Sequence, residues 1–184
     1  MNQASERHYE GLPYSSYEVV YTEAEIQARI QALADQISSD YAHKELVLVS
    51  MLKGSVHFLS DLSRKIEIPH LFDVIAIKPR DERMPHAPLE LAKDITIDVC
   101  GKDVLMLEEV VRTGYTTQFM YEHLKSKAPK SLKLAAFLSN PKQMLVDLPL
   151  RYVGFEVNFD RYVGYGLDHQ EHGRSLPFIA KHKP

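Results

Sequence analysis

"KDVLMLEEVVRTGYTTQFMYEHLK", residues 102–125, carries the pattern on which the fold reading turns. An apolar run, "VLML", is followed by two acids, Glu108 and Glu109, and two valines. Then come Arg112, a turn rich in glycine and hydroxyls (113–117), and the amphipathic segment "QFMYEHLK". The order predicts strand, turn, helix. Two carboxylates leaving a strand point to a grip on a diol or a metal. Negative charge at a helix N-terminus is the plainer alternative. The Thr-Gly-x-Thr-Thr turn points to a phosphate held by backbone N–H groups, with an ordinary N-cap as its alternative. Arg112, a permanent cation, sits between the two features.

Working outward, the same alternation recurs. "ELVLVS" (45–50) is a short β-rich run that turns at Leu52-Lys53-Gly54 into a helix with apolar positions Val56, Leu59, Leu62 and Ile66. "LFDVIAIK" (71–78) and "SLKLAAFLS" (131–139) read as strands, as do "YVGFEV" and "YVGYGL" further on. "TEAE" (22–25) has capping-box spacing, and Ile26, Ile30, Leu33 and Ile37 fall on one helical face. Residues 1–21 read as an irregular, tyrosine-rich lead-in, and "PRDERMPHAP" (79–88) as a polar, proline-bounded loop. Strand and helix alternating over 45–138 imply right-handed crossovers and a mainly parallel sheet. The expectation is an α/β fold: a central, mainly parallel sheet flanked by helices, with a small hood built from the chain ends. Residues 1–184 are expected to form one domain.

Composition agrees. At 184 residues, 45% hydrophobic and 26% charged, the chain can bury one substantial core. A net charge of −3 without blocks of like charge argues against nucleic acid or an anionic membrane as main partner. Cys100 is the single cysteine, which excludes an internal disulfide and fits a reducing compartment. The first eighteen residues lack the apolar core of a signal peptide, and no apolar run approaches membrane-spanning length. A cytoplasmic protein is expected.

In parallel sheets ligands bind at the carboxyl ends of strands. "MLKGS", "EEVVRTGYTT" and "LSNPK" all follow strands and are expected to line one crevice. Gly54 before a helix lets backbone amides approach an anion, and Lys53 adds charge, although Lys-Gly before a helix is commonly just a turn. "DHQEH" (168–172) matches no established zinc spacing, so His169 and His172 read as solvated surface. Cys100, with no basic partner beside it, reads as a buried or idle thiol.

These landmarks resemble the bacterial hypoxanthine-guanine phosphoribosyltransferases, from about residue 23 to residue 179. They are "LVLVSMLKGSVHFLSDL", "GKDVLMLEEVVRTGYTT", "YVGFEV" and "VGYGLDHQEHGRSLPFI". The second is similar to the PRPP-binding motif of the type I phosphoribosyltransferase fold. The resemblance implies transfer of ribose 5-phosphate from PRPP to N9 of a 6-oxopurine, with Mg2+, and a homodimer or homotetramer. It further implies that Lys53, Gly54 and Arg174 meet pyrophosphate. Glu108 and Glu109 would hold ribose hydroxyls and metal waters, and Thr113, Gly114, Tyr115, Thr116 and Thr117 would cradle the 5′-phosphate. Asp168 would ligate the metal and sit near the base, beside a base pocket at Asn140, Arg161 and Tyr162.

Against that family, Glu109 stands where aspartate is usual, which one extra methylene tolerates. Arg112 replaces an aspartate near purine N7 that is thought to handle a proton, and an arginine cannot act as a general base. Asn140 replaces a lysine that contacts the 6-oxo group. Arg161 falls at a stacking aromatic, with Tyr162 one residue on, and Pro79-Arg80 replaces a Ser-Tyr pair. Two readings stay open: a transferase with altered base preference or proton handling, or a silent PRPP- or nucleotide-binding protein with a regulatory or partner-binding role.

Overall fold

A computed structural model describes residues 17–78, 88–158 and 161–182. Its elements run β1 (Tyr17–Tyr21), α1 (Glu23–Asp40), β2 (Leu46–Leu52), α2 (Val56–Lys65), β3 (His70–Ile77) and β4 (Leu91–Lys93). Then follow β5 (Asp103–Val111), α3 (Tyr115–Ser126), β6 (Ser131–Ser139), β7 (Leu150–Glu156), β8 (Tyr162–Val163) and β9 (Ile179–His182).

The main sheet has the order β4-β3-β2-β5-β6-β7. All its pairings are parallel except that of β4, which runs antiparallel to β3 at the edge. β5 lies beside both β2 and β6 near the middle of the sheet, which is why its "VLML" run is fully buried. Side chains alternate across it. Leu105 and Leu107 join Leu48, Phe137 and the buried face of α1 and α2. Val104 and Met106 join Val49, Ala136 and, from α3, Met120 and Leu124. The sheet is therefore covered on both faces, as a parallel sheet requires.

α1 begins as its sequence predicts. The Thr22 hydroxyl accepts from the Glu25 N–H at 3.3 Å, and the Glu25 carboxylate accepts from the Thr22 N–H at 2.8 Å. Ile26, Ile30, Leu33 and Ile37 are all buried. In α2 the pattern shifts: Leu59, Leu62 and Ile66 are buried, but Val56 is 42% exposed and Phe58 takes the core position. Phe58 wins because its ring meets Phe137 at 5.4 Å.

The hood is a second sheet of order β1-β9-β8. Residues 17–21, expected to be irregular, form its first strand, because β9 supplies the hydrogen bonds that the segment alone lacks. "YVGFEV" extends the main sheet, whereas "YVGYGL" yields only the short β8 of the hood. Residues 79–87 lie outside the described residues, Pro79 and Arg80 among them. Among the described residues no helix is long and apolar enough to cross a membrane.

Candidate active site

The carboxyl ends of β2, β5 and β6 converge with the segment after β8. "EEVV", expected in a loop, lies inside β5: Glu108 is opposite Ala136 and Val110 opposite Leu138. Strand alternation therefore sends the two acids to opposite faces. Glu108 joins the α3 side, where the Thr117 hydroxyl bonds it. Glu109 turns toward the β2–α2 turn and the hood.

Both carboxyls are perturbed. Burial pushes Glu108 up to about 8; the Thr117 hydrogen bond opposes this, and the charge of Glu109 adds to it. Burial also pushes Glu109 up to about 7. The Arg174 guanidinium opposes that rise, Asp168 adds to it, and Arg112 opposes it again. Arg112 is exposed, at the end of β5, and it acts as a counter-charge to Glu109. Oε1 of Glu108 and Oε1 of Glu109 are both buried without a hydrogen-bond partner among the described residues. Buried acceptors left unpaired are rare, and here two adjacent residues await donors.

Glu109 is closely confined. A Cβ on Gly54 would fall 1.4 Å from its Oε2. A Cβ on Gly166 would fall 2.0 Å from the Gly54 carbonyl oxygen and 3.1 Å from Glu109 Oε1. Gly166 also has φ +102, a conformation that side chains resist. Only two glycines let the β2–α2 turn, Glu109 and the hood meet this closely.

The β5–α3 turn carries the anion-binding geometry. Gly114, the N-cap of α3, has φ 86 and no side-chain cap is formed, so the first-turn N–H groups of Tyr115, Thr116 and Thr117 have no capping side chain. Thr113, Tyr115 and Thr116 are exposed. Thr117 is 3% exposed and turned to Glu108, so its hydroxyl proton supports the carboxyl rather than the open end of the turn. The Leu145 N–H donates to the Thr113 carbonyl at 3.0 Å, tying the β6–β7 loop to this turn.

Asn140 directly follows β6, almost fully buried, and its Oδ1 accepts from the Lys142 N–H at 3.1 Å. Arg161 is exposed and Tyr162 half-buried, its hydroxyl donating to the Asn158 carbonyl at 2.9 Å. Asp168 is bound to Arg174: Oδ1 lies 2.7 Å from Arg174 Nη2, while Oδ2 accepts from the Glu171 N–H at 2.8 Å. Arg174 Nη1 donates to the Gly166 carbonyl at 2.9 Å. Lys53 Nζ meets Glu171 Oε2 at 2.9 Å.

Lys53, Gly54, Glu109, Asp168 and Arg174 are thus brought together on one side of β5, and Glu108 with the β5–α3 turn lies on the other. Among the described residues no group of three or more His, Cys, Asp or Glu side chains is arranged to hold a metal. His169 and His172 are exposed, as expected. Cys100 is exposed as well, not buried, because it lies in the turn just before β5. Sequence reasoning passed over Gly166, Glu171 and the inward role of Thr117. The glycine spacing in "VGYGLD" was a signal for the first, but nothing local marked the other two.

Residues 16–170 match the phosphoribosyl transferase domain model. The chain is 37% identical over 167 residues to a hypoxanthine phosphoribosyltransferase of Salmonella typhimurium, covering 89% of this chain and 94% of that one. It is 35% identical to a hypoxanthine-guanine phosphoribosyltransferase of Mycobacterium bovis, covering 90% and 86%. A crystal structure of a Staphylococcus aureus hypoxanthine phosphoribosyltransferase superposes with TM-score 0.87 at 33% identity, covering 96% and 98%. Sequence and fold agree, and the chain belongs to the hypoxanthine-guanine phosphoribosyltransferase family.

Proposed function

We propose that this chain is a purine-salvage enzyme that transfers ribose 5-phosphate from PRPP to N9 of a 6-oxopurine and releases pyrophosphate. The observation that carries the reading is the pair of unpartnered buried carboxyl oxygens on adjacent residues of β5, Glu108 beside the glycine-opened start of α3 and Glu109 beside Gly54 and Gly166. Ribose hydroxyls would donate to Glu108 and Glu109. The 5′-phosphate would sit on the N–H groups of the first turn of α3, with Thr113 and Thr116 beside it. Lys53, the Gly54 backbone and Arg174 would meet pyrophosphate.

Mg2+ fits this donor set. Magnesium is commonly bound by one or two carboxylates together with substrate oxygens, so a preformed three-carboxylate cage is not required. Glu108, Glu109 and Asp168 are the candidate ligands, directly or through water, and the ion would neutralise the departing pyrophosphate. Asp168 would first have to release Arg174, to which it is bonded at 2.7 Å.

Arg112 cannot take a proton from the base. Its charge instead favours ionised Glu109, the form that accepts hydrogen bonds from a diol. With Asn140, Arg161, Tyr162 and Asp168 it would form a base pocket richer in cationic charge than neutral hypoxanthine needs. A more acidic base such as xanthine should gain several-fold in affinity, from ~1 kcal/mol for partly exposed charges. The site of action is the cytoplasm. A homodimer or homotetramer is the proposed assembly, and Leu71 and Phe72, 52% and 58% exposed, are candidate contacts.

Pyrophosphate release from PRPP and Mg2+ over a panel of hypoxanthine, guanine and xanthine tests the reading. Turnover with at least one base is expected. No turnover with any base, together with measurable binding of a nucleoside monophosphate, would mean a silent binding protein. No binding of either PRPP or nucleotide would remove the reading altogether.

A further inference from the structure

Glu171 stands in an unusual place. Its Oε2 is shared by two cations, lying 2.9 Å from Lys53 Nζ and 3.4 Å from Arg174 Nη2. These two side chains come from opposite ends of the fold, Lys53 from the β2–α2 turn and Arg174 from the hood, so one carboxylate clamps the mouth of the site. The clamp is built by a tight hairpin. The His169 N–H donates to the His172 carbonyl and the His172 N–H to the His169 carbonyl, both at 3.0 Å. The two residues between them, Gln170 and Glu171, have φ 52 and 66. Such a two-residue turn with both central φ values positive ordinarily takes Asn-Gly. Here a glutamate is held in the left-handed region instead, and Asp168 Oδ2 fixes its N–H at 2.8 Å. The Glu171 carboxylate is thus set where two cations converge.

We propose that Glu171 is a built-in competitor for the diphosphate subsite: it occupies Lys53 and Arg174 in the unliganded protein and is displaced when a diphosphate group enters. This rests on the proposed reading that Lys53 and Arg174 receive pyrophosphate. A carboxylate and a phosphate oxygen present the same chemistry to an ammonium and a guanidinium, so they compete for the same donors. An empty site then keeps its two cations oriented and neutralised. Binding exchanges one anion for another rather than creating new ion pairs, which lowers affinity for the leaving diphosphate and favours its departure. The entering diphosphate would also compete with Asp168 Oδ1 for Arg174 Nη2, which Asp168 and Glu171 share, so the same event would free Asp168.

Calorimetric titration of inorganic diphosphate into the wild-type protein, Glu171→Gln, Glu171→Ala and Lys53→Ala tests this. Both Glu171 variants should bind diphosphate about three- to tenfold more tightly, the range expected when exposed ion pairs no longer compete. Lys53→Ala should weaken binding, and adding Glu171→Gln to it should restore less than Glu171→Gln alone gains. Glu171 variants that bind diphosphate equally or more weakly, while the wild-type protein binds it measurably, would overturn the proposal and leave the subsite reading intact. Diphosphate failing to bind the wild-type protein and every variant would overturn both.

Discussion

Glu108→Gln should stabilise the protein at alkaline pH, and the size of the effect follows from its burial. In the unfolded chain the carboxyl loses its proton near 4.5, whereas in the folded chain it holds the proton to about 8. Between those values the unfolded state binds fewer protons than the folded state, so this group makes stability fall as pH rises. Its contribution is flat below 4.5 and again above about 8. At about 1.4 kcal/mol per pH unit, the interval from 4.5 to about 8 comes to about 5 kcal/mol. Local relaxation and water entry should reduce this to roughly half. Glutamine keeps the shape and removes the titration. Urea denaturation of both proteins from about pH 5 to about pH 9 gives the difference curve, which should rise by about 2–3 kcal/mol in favour of Glu108→Gln. On the proposed reading a nucleoside monophosphate should shrink the difference, since its ribose hydroxyls would donate to ionised Glu108 in the wild-type protein. A difference that stays level across the range would refute the argument, because an ionised Glu108 would then be as comfortable folded as unfolded.

Three other outcomes are expected. Gly166→Ala puts a Cβ 2.0 Å from the Gly54 carbonyl at φ +102, so it should lose about 2–4 kcal/mol in denaturant titration and weaken nucleotide binding. Unchanged stability would mean that the β2–α2 turn and the hood are not held together there. Arg112→Asp should raise turnover with hypoxanthine on the order of tenfold and Arg112→Ala less, since aspartate can accept from N7 while alanine only removes a cation; slower turnover in both would make Arg112 a working part of a different mechanism. Thr22→Ala breaks the capping box and should cost about 1 kcal/mol, seen as a lowered thermal midpoint with no change in ligand binding.

How far the site could be read locally depends on how short-range its causes are. The β5–α3 segment announces itself because strand burial, the Gly114 turn and the apolar face of α3 all lie within 25 contiguous residues of chain or fewer, each set by backbone stereochemistry and side-chain period. The capping box at Thr22 is legible for the same reason: both partners lie within one helical turn. β1 was not legible. Five residues rich in tyrosine and valine have no reason to be extended until β9, more than 150 residues later, offers its backbone. The placement of Val56 outside and Phe58 inside α2 is likewise decided by Phe137 on β6.

Sequence by itself determined the alternation of strand and helix, the parallel sheet, the two acids next to an apolar strand run and the hydroxyl-rich turn, because these follow from local periodicity and turn chemistry. Only the tertiary structure decided what those groups touch. It sends Glu108 to Thr117 and Glu109 between Gly54 and Gly166, since strand alternation acquires meaning only when each face has a neighbour. It also brings Lys53 within 2.9 Å of Glu171, a pair 118 residues apart whose meeting depends on how the hood closes over the sheet. Electrostatic attraction acts through space, so residues distant in sequence share one site only after the chain has folded.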